Sequence, residues 1–171
     1  MTPPWVNPQQ WKPLEPPMRG DSSRRSPQAL LEITRQFHVA EALRYRPSPG
    51  ITWCNIYLWD ATKALGCEIP HFYSGKELTA NATCDWLVVN GPLFGWYGVT
   101  DAVTAQAHAS AGLPVVATWK NPKGHGHVAV CVPTPAGFSG VYVTQAGGTN
   151  FEEGPIARGF GKVPVTYFGH L

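Results

Sequence analysis

The chain has 171 residues (18.6 kDa), 43% of them hydrophobic and 14% charged, with 13 Lys+Arg against 11 Asp+Glu for a net charge of +2. That length suits one domain with a sizeable core, and the sparse, balanced charge excludes both a disordered polyelectrolyte and a nucleic-acid binder held by a dense basic surface. Eighteen Gly and 17 Pro describe a loop-rich fold, and no stretch approaches the roughly 18 consecutive apolar residues of a membrane span.

Six prolines (Pro3, Pro4, Pro8, Pro13, Pro16 and Pro17) crowd the segment before Gly20, which has no apolar core and does not read as a secretory signal. The expectation is a protein made and first kept in the cytoplasm, with residues 1–25 as an extended proline-rich arm and 26–171 as one domain. Ser26 as cap, Pro27 at the first helical position, and Leu30, Ile33, Phe37 and Ala40 at helical spacing predict a helix over 27–43. A second helix is predicted to open with Thr52 as cap and to run to Leu65, stopping at Gly66. Further helices are predicted over 80–89 and 99–111. After Pro114 the pattern switches to strands: Val115–Trp119, His127–Val132, Val141–Gln145 and Val163–Phe168, separated by turn formers. Helices first and an antiparallel sheet second give an α+β fold.

The cysteines, Cys54, Cys67, Cys84 and Cys131, form no CxxC pair and no zinc-ligand spacing, so they read as free thiols. Cys54 falls in the first turn of the predicted second helix, where unpaired N–H groups and the helix dipole favour a thiolate. His127 opens an apolar strand after Gly124-His125-Gly126 and can serve as general base. His125, His127 and Cys131 also invite a metal reading, but at about 3.3 Å per residue Cys131 lies on the order of 13 Å from His127, too far to share one ion. No metal and no cofactor are expected. Gln145, at the end of the next strand, is the candidate that fixes the imidazole, with Asn150 as its rival. The Cys54 N–H is the candidate oxyanion donor, with Asn55 beside it. Tyr45, Trp53, Trp96 and Trp119 are expected to wall a substrate groove, whereas Trp59 and Trp86 belong to the core. Asp60 lies away from Cys54 around the helix, and Cys67, Cys84 and Cys131 are bystanders.

Thr52-Trp53-Cys54-Asn55 opening a helix, Gly126-His127-Val128-Ala129-Val130 on a strand and Thr144-Gln145-Ala146-Gly147 on the next resemble the papain-like peptidoglycan hydrolases of the NlpC and CHAP kinds. The likeness runs from Arg44 to Phe168. It implies a papain-like fold with N-terminal helices packed on a C-terminal antiparallel sheet, and a cysteine endopeptidase or amidase with Cys54 as nucleophile and His127 as base. Those families often place His, Asn, Asp or Glu third, so Gln145 is a departure. The implied substrate is an amide of the bacterial wall peptide, cleaved through a thioester, and the implied partner is peptidoglycan, with no nucleic acid.

Two settings fit an enzyme without a leader: a phage endolysin released through a holin-type lesion, or an exported antibacterial effector with an immunity protein. Size, layout and slight positive charge favour the endolysin. The other classes open at this stage are a non-catalytic wall-binding or structural virion module on the same scaffold, and an acyl-transfer enzyme.

Overall fold

A computed structural model describes residues 8–171. The Ser26 hydroxyl accepts the Ala29 N–H at 3.0 Å and Pro27 follows, so α1 (Pro27–Arg35) begins at its predicted start. It ends at Arg35 rather than at residue 43. Gln36 folds its amide onto the Ile33 carbonyl at 2.9 Å, and His38 turns the chain at a φ of 46°, so Phe37 and Val39 reach the core outside the helix.

The second helix, α2 (Cys54–Ala64), starts later than predicted. Thr52 is exposed and does not cap it, and Trp53 at the cap position makes no side-chain bond either, which leaves the first-turn N–H groups uncovered. Gly66, at a φ of 75°, turns the chain out of the helix as expected. A hairpin of β1 (Phe72–Tyr73) and β2 (Lys76–Glu77), absent from the sequence reading, leads to α3 (Ala80–Val89), which Thr79 caps.

Trp96–Val99 form a strand, β3, whose last residue the sequence reading placed at the start of a helix. α4 (Ala102–Ser110) starts only after Asp101, whose carboxylate accepts the Thr104 N–H at 2.8 Å. β4 (Val115–Trp119) and β5 (His127–Val132) fall where predicted, and β6 (Tyr142–Gln145) nearly so. β7 (Phe151–Pro155) and the short helix α5 (Ala157–Phe160) were not predicted. The last strand, β8 (Thr166–His170), lies a few residues later than predicted, because Pro164 has no N–H for a ladder that β8 makes on both sides, with β3 and β4.

The main sheet has the order β3-β8-β4-β5-β6-β7, every neighbouring pair antiparallel. Alternation along the strands divides the core in two. Val116, Val128, Val130 and Phe168 pack against α1, α2 and α3, whereas Val115, Ala117, Ala129 and Cys131 pack with Ala105 and Ala109 of α4 and Phe160 of α5. The fold is α+β, with helices on both faces of the sheet rather than on one.

Nine of the eleven α2 residues are buried, so its polar groups must find partners inside. Asp60 does so through Arg44, whose Nε and NH2 donate at 2.7 and 3.0 Å, and through the Tyr45 hydroxyl at 2.7 Å. Burial still pushes its carboxyl up from the usual range. The same guanidinium donates to the Gln9 and Lys12 carbonyls at 2.5 and 2.9 Å. Residues 9–25 therefore run along the helical face. Gln10 donates to the Arg44 carbonyl, Gly20 N–H to the Ala64 carbonyl, and Arg25 to the Leu65 carbonyl.

Arg44→Ala strands a buried carboxylate and unties residues 9–12 together. It should cost about 3–5 kcal/mol in urea denaturation and open the segment before Gly20 to limited proteolysis. A change within about 0.5 kcal/mol, the range of ordinary surface substitutions, would show that Asp60 is satisfied without it.

Candidate active site

Cys54 is the first residue of α2, which lies across β5 with its N-terminus over the start of that strand. The N–H groups of Val128, Asn55 and Cys54 itself turn towards the thiol, and all three favour the thiolate. Burial opposes them and is the larger effect: Cys54 is 5% exposed, and its thiol is pushed up rather than down. This reverses the direction expected from the helix dipole alone. The thiol needs a base to lose its proton at neutral pH.

His127, the expected base, stands one residue from the Val128 N–H. The His127 Nε2 is 2.9 Å from the Gln145 Oε1, and the Gln145 amide is fixed in turn because its Nε2 donates to the Thr149 carbonyl at 2.9 Å. With Oε1 facing the ring, Nε2 must carry the proton and donate, so Nδ1 keeps its lone pair. Gln145 is 2% exposed, and a Cβ at Gly159 would collide with its amide. Phe160 packs on the other side of the imidazole at 4.6 Å between ring centroids, and a Cβ on Gly147 would come within 3.0 Å of Cε1. Burial lowers the His127 pKa, and the Gln145 bond offsets part of that shift. The net effect favours the neutral ring over the charged one relative to a free imidazole, and its contacts hold it in one orientation.

Cys54 and His127 approach β5 from its two faces. Val128 packs under α2 with Cys54, while His127, one residue earlier, lies with Phe160 at the strand's end. No hydrogen bond joins Cys54 to His127 among the described residues.

The other expected residues divide sharply. Asn150 is not the imidazole's partner: its Oδ1 accepts the Gly147 N–H at 2.8 Å and its Nδ2 donates to the Tyr45 carbonyl at 2.7 Å. Asn55 is half-buried and donates to the Leu78 carbonyl at 3.1 Å. Tyr45 does not wall a groove, because it is 1% exposed and its hydroxyl is spent on Asp60. Trp53 is also buried, its Nε1 donating to the Arg46 carbonyl at 3.1 Å, and Trp96 lies in the core instead of on a groove. Trp119 is half-buried and pairs directly with His127 across β4 and β5, which puts it beside the base. Cys67, Cys84 and Cys131 are free and buried like Cys54. Burial pushes the Cys67 thiol up to about 12 and that of Cys84 to about 11. The Cys131 thiol is also raised, by burial alone. No group of three His, Cys, Asp or Glu side chains could hold a metal ion among the described residues.

One organising residue escaped the sequence reading. Asn81, in the first turn of α3, donates to the Asn121 and Gly124 carbonyls at 2.9 and 2.8 Å and accepts the Asn121 N–H at 2.8 Å. It clamps the turn that delivers His127. Nothing distinguishes this asparagine in sequence from any other polar residue on a helix.

The pairing of His127 with Gln145 can be read directly by nitrogen-detected NMR. His127 should be the Nε2–H tautomer and should titrate below the ordinary value of about 6.5. In Gln145→Leu, which removes the one contribution that raises the pKa, the midpoint should fall further and the tautomers should mix. A midpoint above 6.5, or an upward shift in the variant, would overturn this assignment. No family model matches the chain, and no curated protein is significantly similar to it.

Proposed function

We propose that the protein is a cysteine amide hydrolase with a papain-like fold of the NlpC and CHAP kind, acting on the peptide of bacterial peptidoglycan as a phage endolysin. The observation that carries this reading is the join of α2 to β5. A thiol at a helix N-terminus, met by three backbone N–H groups, lies one residue along a strand from an imidazole whose tautomer is fixed by a buried amide. A core packing role for Cys54 needs neither N–H groups turned on the thiol nor an oriented histidine at the adjoining strand position. The ordered likeness in sequence between Arg44 and Phe168 points to the same chemistry, and the net charge of +2 suits approach to an anionic wall.

In this reading His127 Nδ1 takes the Cys54 proton and the sulfur attacks the amide carbonyl carbon. The oxyanion that forms accepts from the Cys54 N–H at the start of α2. Collapse breaks the C–N bond, the imidazolium returns its proton to the leaving amine, and the acyl group stays on sulfur as a thioester. His127 then deprotonates water, which attacks the thioester and releases the carboxylate and the thiol. Gln145 keeps Nε2 protonated throughout, so that Nδ1 is the basic atom. Because Cys54 and His127 meet β5 from opposite faces, the reading requires the ring and the thiol to come together around the end of that strand.

Digestion of purified peptidoglycan, followed by mass spectrometry of the released fragments, tests the whole reading. Wild type should create new amino termini within the stem or cross-bridge, or free stems if it is an amidase. Cys54→Ala should lose at least about 10³-fold in rate. Full activity in that variant would remove Cys54 from the chemistry, and no release by wild type from several wall types would favour a binding module.

A further inference from the structure

Cys84, on α3, lies beside Cys54, and two separate fastenings bring the pair together. The first runs through the sheet. The Val128 N–H turns to the Cys54 thiol, and the Thr118 hydroxyl to the Cys84 thiol. Thr118 and Val128 are direct partners across β4 and β5, and such partners in an antiparallel ladder hold their Cα atoms about 4.5–5.5 Å apart. Thr118 is two residues from Val116, so it shares with Val128 the face on which α2 and α3 pack. A disulfide spans Cα atoms about 4.4–6.8 Å apart, the scale of the pairing beneath these two thiols.

The second fastening is the turn that leads into α3. Asn55, the residue after Cys54, donates to the Leu78 carbonyl at 3.1 Å. Thr83, the residue before Cys84, donates from its hydroxyl to the same carbonyl at 3.5 Å. Burial is the larger cause of the raised Cys84 thiol, but negative charge on Cys54 adds to the rise, so each sulfur lies within the field of the other.

The remaining cysteines are placed elsewhere. Cys131 points to the opposite face of the sheet, among the residues that pack with α4 and α5. Cys67 follows the far end of α2 and lies against the Arg25 guanidinium. Of the free thiols, Cys84 is therefore the one that shares a sheet face and a paired strand position with Cys54.

We propose that Cys54 and Cys84 join in a reversible disulfide when the protein meets a peroxide, with Cys84 as the resolving thiol that keeps Cys54 from irreversible oxidation. The bond depends on the placement of the two cysteines; only its effect on activity rests on the amide-hydrolase reading. The Cys54 sulfur, as thiolate, attacks one oxygen of hydrogen peroxide and the O–O bond breaks. The departing hydroxide takes the proton that the thiol released, which leaves water and a sulfenic acid on Cys54. The Cys84 sulfur then attacks the Cys54 sulfur, the S–O bond breaks, and that hydroxide leaves as water with the Cys84 proton. The thiols are oxidised by one electron pair, which the peroxide takes up. The three N–H groups around Cys54 stabilise the anion that starts the sequence. At 5% and 7% exposure, Cys54 and Cys84 suit a small uncharged oxidant rather than a bulky disulfide.

The test treats the full reduced chain with hydrogen peroxide at neutral pH and then blocks the remaining thiols with N-ethylmaleimide in denaturant. Mass spectrometry of the intact chain and of its unreduced peptides maps the product. Before blocking, the wild type should lose about 2 Da. It should yield a cross-linked peptide pair that holds Cys54 and Cys84, with Cys67 and Cys131 blocked by the maleimide, and dithiothreitol should reverse the change. In the isosteric Cys84→Ser, the same treatment should carry Cys54 to the sulfinic acid, a gain of about 32 Da that dithiothreitol does not reverse. Cys67→Ser should behave as the wild type does. Thiols that stay unmodified, a cross-link to Cys67 or Cys131, or sulfinic acid at Cys54 in the wild type to the same extent as in Cys84→Ser overturns the proposal. The wild-type map decides on its own if Cys84→Ser folds poorly. Wall digestion is scored separately: the oxidised wild type should be as inactive as Cys54→Ala and should recover with dithiothreitol. If the reduced wild type digests no wall while the cross-link forms, the hydrolase reading falls alone, and if it digests walls but forms no cross-link, only the disulfide falls.

Discussion

The N-terminus of α2 rests on the first residues of β5, and most of the molecule is arranged around that contact. Because no side chain caps the helix, its first-turn N–H groups are left to the Cys54 thiol, which also takes the Val128 N–H from the strand. A helix docked there has almost no solvent face, so Asp60, one turn and a half further on, is buried. A buried carboxylate is tolerable only with charged and hydrogen-bonding partners, and Arg44 and Tyr45 supply them from the turn before the helix. Arg44 has donors to spare, and these hold the carbonyls of Gln9 and Lys12. One docking contact therefore reaches outward to the proline-rich segment: the position of Cys54, the internal ion pair and the course of residues 9–25 are coupled.

Segments whose fate depends on local pattern were legible in the sequence. β4 and β5 are short apolar runs between turn formers, and burial on both faces leaves such runs little alternative. α3 and the start of α1 announce themselves through Thr79 and Ser26. Where tertiary contacts decide, the pattern misleads. Phe37 continues the helical spacing of Leu30 and Ile33, yet the Gln36 amide and the left-handed His38 take it to the core by another route. Val99 looks like the start of α4 but is claimed by pairing with Tyr167 in β8. Tyr45 and Trp53, which as isolated aromatics suggest a groove, are drawn inward by partners far less visible in sequence, Asp60 and the Arg46 carbonyl.

The candidate site was legible to a different depth at each residue. Cys54 and His127 could be found from element type and order, and Gln145 from its place near the end of the neighbouring strand. What holds Gln145 could not be found this way. Its amide is oriented by a backbone carbonyl at Thr149, and it occupies space that exists because residue 159 has no side chain. Gly147 does the same for the imidazole. In a chain with 18 glycines, nothing local marks these two as the ones whose Cβ would strike the site.

The opposing shifts on Cys54 and His127 have a common origin. Withdrawal from water disfavours both charged forms, so burial raises the thiol and lowers the imidazole, moving the pair away from a resting thiolate–imidazolium and towards a neutral thiol and neutral base. For an acyl-transfer reaction this has a use. A neutral imidazole with Nδ1 unprotonated can accept the proton as sulfur attacks, and the imidazolium then formed is a stronger acid towards the leaving amine because burial has lowered its pKa. The three N–H groups around the thiol favour negative charge only as it develops there. Gln145 tempers the arrangement: as a neutral acceptor it fixes the tautomer and steadies the imidazolium without the large upward shift that a carboxylate in its place would impose. In the proposed reaction, the glutamine that departs from the usual third residue of the resembled families would therefore suit a base that stays neutral until the thiol gives up its proton.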